Sequence, residues 1–148
     1  MVTMDSTRSK TGSLKDKKPE INPIPVHTEE IIKSVLDAAF QVHSALGPGL
    51  LESVYEACMA HELNLRDIKY KTQVTLPVIY KGVKVDSGLR LDMLVDDCVI
   101  VEIKSAENLN PIYSAQLLTY LKLTNVRLGL IINFNVIHLR DGIKRIIN

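Results

Sequence analysis

Three charged side chains in the middle of the chain have the types and spacing of a catalytic or metal-binding group. Residues 99–104 read VIVEIK, an apolar run in which Glu102 and Lys104 are the only charged positions. Because side chains alternate between the two faces of a strand, Glu102 and Lys104 share one face. Asp92 lies ten residues before Glu102, near the end of a second strand-like run. The three residues are therefore candidates for one site.

A turn between the two runs would bring the carboxylates together. Asp96 and Asp97 separate the runs, and aspartate is a common turn residue. A hairpin through this turn places Asp92 level with Glu102. Two carboxylates and Lys104 would then converge on a largely apolar sheet, where an unpaired charge is costly, so the cluster indicates a metal or catalytic site. The alternative is a plain surface salt bridge between Glu102 and Lys104 on an exposed edge strand.

Length, composition and charge restrict the class of protein. The chain has 148 residues, 46% of them hydrophobic and 24% charged, which is typical of one globular domain with a sizeable core. No apolar stretch approaches the ~18 residues of a membrane span, and the polar N-terminus does not resemble a signal peptide, so we expect a cytoplasmic protein. The net charge of +1 is far from that of a general nucleic-acid coat protein. Any polyanion binding must therefore rest on local patches or on a bound metal ion.

The pattern of apolar residues divides the chain into a tail and one domain. Residues 1–25 are rich in Ser, Thr, Lys, Asp and Pro and are predicted to be disordered, whereas residues 26–148 form the domain. Periodicity and turn residues predict three helices: one from Thr28 as N-cap to Leu46, one at about 50–63 and one after Asn110. They also predict strands at 70–78, 83–95, 98–104 and 126–133. A closing hairpin of 136–139 with 143–147 is predicted at the end of the domain. The first three strands should be antiparallel, and the crossover helix should make the fourth parallel to its partner.

Three motifs, in this order on these elements, resemble the PD-(D/E)XK nuclease superfamily. Residues 49–55, GLLESVY, resemble the GxxExxY motif of a small family within it. Asp92 followed by the EIK of residues 102–104 resembles the superfamily's core motif, with Leu91 where its name has Pro. Residues 116–120, QLLTY, resemble the QxxxY motif of the RecB-like branch. The resemblance implies an α/β, restriction-endonuclease-like αβββαβ core: a mixed sheet flanked by helices, here with an appended C-terminal hairpin.

The resemblance also implies a divalent-metal site. Mg²⁺ or Mn²⁺ can neutralise a phosphate and lower the pKa of a bound water, and Mg²⁺ prefers hard oxygen ligands. Asp92 and Glu102 would supply carboxylates, and the main-chain carbonyl of Ile103 a third ligand. Lys104 could orient the attacking water or steady charge on the phosphate. Glu52 would add a ligand or hold a metal-bound water.

Two further helical pairs accompany this set. Gln116 and Tyr120 lie one turn apart on the later helix and could hydrogen-bond substrate phosphate or the site carboxylates. Tyr55, three residues after Glu52, is interpreted chiefly as a core residue whose hydroxyl is satisfied. The four histidines show no ligand spacing in the sequence, so we do not expect zinc.

The sequence favours a Mg²⁺- or Mn²⁺-dependent nuclease that acts on DNA in preference to RNA. Two alternatives remain: a non-catalytic module that holds nucleic acid or protein, and an interaction subunit whose 136–147 hairpin pairs with a protein partner or a second copy of the chain. The basic residues scattered over the predicted strands form either solvated faces or a phosphate-facing rim; they are Lys69, Lys71, Lys81, Lys84 and Arg90.

Overall fold

The computed structural model of the protein describes residues 22–148, and its elements follow the predicted order of helices and strands. Their bounds are α1 Val26–Leu46, α2 Glu52–Leu65, β1 Tyr70–Tyr80, β2 Val83–Val95, β3 Val99–Lys104, α3 Ile112–Thr124, β4 Leu128–Asn133 and β5 Ile143–Ile147, with a 3₁₀ helix at Leu139–Gly142. The predicted fold class, a mixed sheet flanked by helices, is confirmed. Most of the tail predicted for residues 1–25 lies outside the described residues.

The strands of the described region form one five-stranded sheet in the order β1-β2-β3-β4-β5. The β1–β2, β2–β3 and β4–β5 pairs are antiparallel, whereas β3 and β4 are parallel. The parallel pair follows from the crossover through α3, because a strand that returns by a helix on one face runs in the same direction as its partner. The predicted antiparallel and parallel pairings are therefore confirmed, and β3 lies at the centre of the sheet.

Both faces of the central strands are covered. Helices α1 and α2 pack on one face and α3 packs on the other, so β3 and β4 are buried along nearly their whole lengths and are mostly apolar, as strands covered on both sides are. Glu102 and Asn133 are the two polar side chains that these strands bury. They lie near the carboxyl ends of β3 and β4, which marks that end of the sheet as chemically distinct from the rest of the core.

A glycine lies where α3 packs on the sheet. A Cβ atom added at Gly129 would lie 2.9 Å from Cδ2 of Leu117. Because real Cβ atoms do not approach other atoms so closely, a side chain at this point of β4 would require the Leu117 side chain to shift. Gly129 therefore leaves room on β4 for Leu117 of α3, the helix that carries the candidate residues Gln116 and Tyr120.

The closing hairpin is the part of the predicted fold that is wrong. Residues 136–138 form no strand, and the 3₁₀ helix follows them. The main-chain carbonyl of Val136 accepts a hydrogen bond from Nε2 of His43 at 2.8 Å, and Leu139 is buried in the core beneath α1 and α2. These contacts hold the segment against helices rather than in a ladder. Strand β5 instead pairs directly with β4 at the edge of the sheet.

Helix α1 begins at Val26, so the prediction that Thr28 is its N-cap is also wrong. Pro25 precedes the helix, and Thr28 is buried in its first turn. None of the helices in the described region is long and apolar enough to cross a membrane.

Candidate active site

The β2–β3 hairpin forms around the predicted turn. Asp96 and Asp97 have φ values of 48° and 55°, and the N–H of Cys98 donates to the carbonyl of Val95 at 3.0 Å. Positive φ at both central residues is the type I′ geometry that matches the twist of paired strands. The turn sets the register in which Met93 pairs with Val101, which places the next residues of the two strands side by side. Those next residues are Asp92 and Glu102.

Asp92 and Glu102 are linked by hydrogen bonds to each other's strand. The N–H of Ile103 donates to Oδ2 of Asp92 at 2.8 Å. The N–H of Asp92 donates to Oε1 of Glu102 at 3.3 Å. Each carboxylate is thus held against the opposite main chain, and the structure brings together the two acidic residues that the sequence predicts as metal ligands.

Burial changes the acid–base properties of Glu102. Only 6% of the residue is exposed, and its pKa is raised to about 8, first by desolvation and then by the negative charge of Asp92. Lys104 offsets a smaller part of this shift. A carboxyl group that resists ionisation beside a second carboxylate lacks a sufficient counter-charge within the protein. A divalent cation with oxygen ligands would supply that charge, so the donor set fits Mg²⁺ or Mn²⁺.

Lys104 lies on the same face as Glu102, but it does not neutralise the carboxylates. Its Nζ lies 4.3 Å from the centroid of the Tyr113 ring on α3, a cation–π contact. No carboxylate of residues 22–148 lies within ion-pair distance of this ammonium group. Because β3 is central and Glu102 is buried, the alternative of a Glu102–Lys104 salt bridge on an exposed edge strand is wrong.

Helix α2 adds two further carboxylates. Glu52 is its first residue and is exposed, and Glu56 lies one turn later and is half-buried. The pKa of Glu56 is raised overall. Burial is the main cause, and the negative charges of Asp92 and Glu52 add to it, whereas a hydrogen bond from Gln73 (2.9 Å) acts in the opposite direction. Glu56 therefore lies close enough to both Glu52 and Asp92 for their charges to act on it. Glu56 was not predicted as a site residue, although its spacing of four residues from Glu52 puts both on one helical face.

The strand next to this group departs from regular pairing at the level of Asp92. β1 pairs Thr72 with Met93 and Val74 with Leu91, but not Gln73 with Asp92, and Gln73 has a φ of 51°. A positive φ is uncommon for a residue other than glycine. This local conformation accompanies the contact between Gln73 and Glu56, and such irregularities cluster at functional sites.

Tyr55 fixes the start of α2 from within the core. Its ring stacks on Phe134 with centroids 4.4 Å apart, and it is fully buried. Its hydroxyl donates to the carbonyl of Gly47 at 2.6 Å and accepts from the N–H of Leu50 at 3.2 Å. The hydroxyl of Ser105 donates to the carbonyl of Leu50 at 2.6 Å. The loop before Glu52 is thus tied both to the core and to the residue that follows Lys104.

Helix α3 lies over the sheet face that carries Glu102 and Lys104, and its Tyr120 lies near the site carboxylates. The pKa of Tyr120 is raised by burial and then by the charges of Glu102 and Asp92. Tyr113, which contacts Lys104, and Tyr120 therefore both lie on the face of α3 that is turned towards the site. Gln116 lies between them in helical spacing, and it is exposed. Tyr113 was not predicted as a site residue, because its contact with Lys104 depends on how α3 crosses β3.

Asn133 closes the end of the site and was also missed. It is paired with Lys104 in the parallel ladder and is buried. Its Oδ1 accepts from the N–H of Ala106 at 3.1 Å, and its Nδ2 donates to the Ala106 carbonyl at 3.0 Å. The chain that leaves β3 is therefore pinned two residues after Lys104. A single Asn at the end of the apolar run LIIN is the signal that could have identified it.

The comparisons with known proteins gave one family. The sequence profile of the PD-(D/E)XK nuclease superfamily matches residues 29–146. The match covers every helix and strand described above except the first turn of α1 and the last residue of β5. No curated protein and no solved structure gives a significant match to the chain.

Proposed function

The chain belongs to the PD-(D/E)XK nuclease superfamily. We therefore propose that it is a metal-dependent nuclease that hydrolyses phosphodiester bonds, in DNA rather than in RNA. The observation that carries this proposal is the pair formed by the half-buried Asp92 and the buried Glu102, in which desolvation and then the charge of Asp92 raise the pKa of Glu102 to about 8. Such an arrangement costs stability in the absence of a cation, and perturbed carboxyl groups of this kind cluster at functional sites.

We further propose a narrower place within the superfamily. Residues 49–55 support the GxxExxY group, and residues 116–120 support the RecB-like branch. The contacts of Tyr55 give the first motif a physical reason, since its hydroxyl organises the loop that precedes Glu52. We also propose that the protein is located in the cytoplasm.

Each site residue has a proposed role. Asp92, Glu102 and the main-chain carbonyl of Ile103 would hold Mg²⁺ or Mn²⁺, and Glu52 and Glu56 would reach it directly or through water. The bound ion supplies charge neutralisation of the phosphate and a water of lowered pKa. Lys104 keeps an ammonium charge that no described carboxylate cancels, and this charge suits either the scissile phosphate or the attacking water.

The residues of α3 would act around the substrate. Tyr113 holds the Lys104 side chain through its ring. Gln116, exposed between the two tyrosines, would hydrogen-bond a phosphate oxygen or a site carboxylate. Tyr120 lines the same face and supports the carboxylates from the side of α3.

A basic β-hairpin supports nucleic acid as the substrate. Residues 69–90, which form most of β1 and β2, contain five Lys or Arg and one Asp, although the whole chain has a net charge of +1. All five basic side chains are exposed, and Arg90 lies two residues before Asp92. Phosphate contacts dominate affinity for nucleic acids, so this hairpin offers exposed positive charges that a nearly neutral protein needs, although Lys71 is also paired with Asp97 at 3.7 Å. The basic side chains are Lys69, Lys71, Lys81, Lys84 and Arg90.

The test is a cleavage assay on plasmid, linear duplex and single-stranded DNA, and on RNA, with Mg²⁺, Mn²⁺ or chelator. We expect cleavage that requires metal and is lost in Asp92→Asn from a parallel preparation. The matched control is Asp37→Asn, the same change at an exposed position of α1, which should cleave like the wild type. Equal cleavage by Asp92→Asn and wild type would identify a contaminating enzyme and overturn the proposal.

The second candidate is a binding module that holds nucleic acid without cleaving it. The exposed basic hairpin favours this candidate, because it could bind phosphates with no help from the carboxylates. Binding in chelator, together with the absence of cleavage for every substrate and metal tested, would move this candidate to first place.

A further inference from the structure

A second group of metal-ligating side chains lies at the closed end of the β2–β3 hairpin. The ligand atoms of His27, Asp96 and Cys98 all lie within 4.8 Å of one another. Asp96 is four residues from Asp92 along β2 and its turn, which at about 3.3 Å per residue is about 13 Å. The group is therefore separate from the carboxylate site. The spacing of the histidines in the sequence did not indicate this group, because the partners of His27 come from a distant part of the chain.

We propose that His27, Asp96 and Cys98 bind a zinc ion or a similar transition-metal ion. This inference does not depend on the nuclease activity.

The main chain holds two of the three ligands in place. The N–H of Asp96 donates to the carbonyl of Lys69 at 2.8 Å, and the N–H of Cys98 donates to that of Val95 at 3.0 Å. His27 is the second residue of α1, and its Nε2 contacts Oδ2 of Asp96 directly. Two ligands on a tight turn and one on a helix form a small, preorganised set that needs little chain ordering on binding.

The turn itself is unusual for its sequence. Type I′ turns favour Asn-Gly or Asp-Gly because both central residues have positive φ. Here both positions are aspartate, with φ values of 48° and 55°. Asp97 is paired with Lys71 at 3.7 Å, so the carboxylate of Asp96 is left to His27. Residues held in uncommon conformations cluster at ligand sites, and a stability role alone would favour glycine here.

The donor types select the metal. One imidazole nitrogen, one carboxylate oxygen and one thiolate sulfur suit zinc and its neighbours, whereas Mg²⁺ requires hard oxygen ligands. Three protein ligands and one water complete a tetrahedral zinc site with bonds of about 2.0–2.3 Å. Ligand atoms around such an ion lie about 3.3–3.8 Å apart by that geometry. Nε2 of His27 and Oδ2 of Asp96, now in direct contact, must therefore move apart, and the wider separations, at most 4.8 Å, must shorten. His27 is exposed at the start of its helix, and its side chain can rotate to allow both changes.

Binding would change two features of the group. The Cys98 thiol would release its proton to solvent, because thiolate is the ligand form. The ion would also fasten the first turn of α1 to the β2–β3 turn. An ion that binds the folded chain and not the unfolded one raises the melting temperature by mass action.

The experiment uses the full chain, free of any tag, in a Glu102→Gln background that removes one ligand of the carboxylate site. Titration with Co²⁺ should give a thiolate-to-cobalt charge-transfer band at one equivalent, and Zn²⁺ should displace the Co²⁺. Cys98→Ser should abolish the band, and His27→Ala should weaken metal binding by at least roughly 10-fold, the lower end of what loss of an outer-sphere partner costs.

Cys58→Ser is the matched control, since Cys58 is the other free, half-buried cysteine of the chain. It should keep the band and the affinity. His27 is exposed, so His27→Ala tests the site even if Cys98→Ser impairs folding. The proposal is overturned if Co²⁺ gives no thiolate band, if Cys58→Ser removes it, or if His27→Ala leaves the affinity unchanged. The presence or absence of nuclease activity does not affect this test, because metal binding is measured by spectroscopy.

Discussion

Asp92 and Glu102 hold each other in place across the β2–β3 pair, since the Asp92 main chain donates a hydrogen bond to the Glu102 side chain at 3.3 Å. The Asp92 side chain in turn accepts from the N–H of Ile103 at 2.8 Å. Both carboxylates are therefore oriented by main-chain groups. A cation that binds them meets a preformed pair, and little reorganisation of the protein is required.

The first prediction is that Asp92, Glu102 and Lys104 act as one unit. Asp92→Asn, Glu102→Gln and Lys104→Ala should each abolish cleavage, because each removes a group that the others cannot replace. The triple variant should be scarcely slower than a single one, since effects of cooperating residues are non-additive.

Initial cleavage rates and circular dichroism spectra provide the measurement. Lys122→Ala, a change at an exposed position of α3, is the matched control for Lys104. Robust metal-dependent cleavage by the triple variant would falsify the assignment.

The second prediction concerns pH and the stability of the metal-free protein. The pKa of Glu102 is raised from 4.5 to about 8 in the folded state. Between these values the folded state binds more protons than the unfolded state, so stability is fully present at low pH and is lost as pH rises towards 8. The contribution of one group changes by at most about 1.4 kcal/mol per pH unit.

Glu102→Gln removes this titration. In chelator, its free energy of unfolding should fall less steeply from pH 5 to 8 than that of the wild type, and the variant should be the more stable protein at pH 8. Urea unfolding at several pH values, taken as the difference between the two proteins, isolates Glu102 from the histidines. Millimolar Mg²⁺ or Mn²⁺ should raise the melting temperature of the wild type and scarcely affect Glu102→Gln. Parallel pH profiles for the two proteins would contradict the assigned cause.

The carboxylate pair could be predicted from the sequence because its geometry is local. The alternation of VIVEIK sets the face of Glu102, and the Asp96–Asp97 turn sets the register that brings Asp92 to it. A hairpin with a two-residue turn has a defined register, so sequence spacing translates directly into distance. The order of strands followed from the same reasoning together with the crossover through α3.

The remaining contacts could not be predicted, because they depend on how elements pack. The charge of Asp92 acts on Glu56 because of the way α2 packs against the sheet, and the Tyr55 hydroxyl holds the loop before that helix. His27 meets Asp96 across 69 positions of sequence. The apolar residues 136–139 had the composition of a strand, but the hydrogen bond from His43 to Val136 and the burial of Leu139 hold them against helices. Local propensity was overridden by tertiary contacts in that segment.

The third prediction separates the roles of Glu52 and Tyr55. Glu52→Gln should lower cleavage or metal affinity with little effect on stability, because Glu52 is exposed. Tyr55→Ala should cost roughly 3–5 kcal/mol, as truncation of a fully buried aromatic ring does. Tyr55→Phe keeps the stacking on Phe134 and removes only the hydroxyl. It should therefore cost about 1–3 kcal/mol and lower activity by loosening the loop that precedes Glu52.

Denaturant unfolding and cleavage rates measured on the same samples check this prediction. Glu30→Gln, at an exposed position of α1, is the control for the change at Glu52. The opposite pattern, in which Glu52→Gln unfolds the protein while Tyr55→Ala is stable but inactive, would reverse the two roles.

The fourth prediction concerns the basic hairpin. Lys81 lies in the turn between β1 and β2, and Lys84 is the second residue of β2. Both are exposed, and no acidic side chain of residues 22–148 forms an ion pair with them. If they contact phosphates, the double change Lys81→Ala with Lys84→Ala should weaken binding to duplex DNA uniformly across sequences. It should also reduce the slope of log K against log salt by about 2, because each phosphate contact contributes about 0.9.

Fluorescence anisotropy in chelator measures binding without cleavage. The control carries Lys33→Ala and Lys122→Ala, two exposed lysines on helices, and should keep the wild-type slope. An unchanged slope in the hairpin variant would show that these lysines form a solvated face, and the search for the phosphate contacts would move to Arg90 and Lys104.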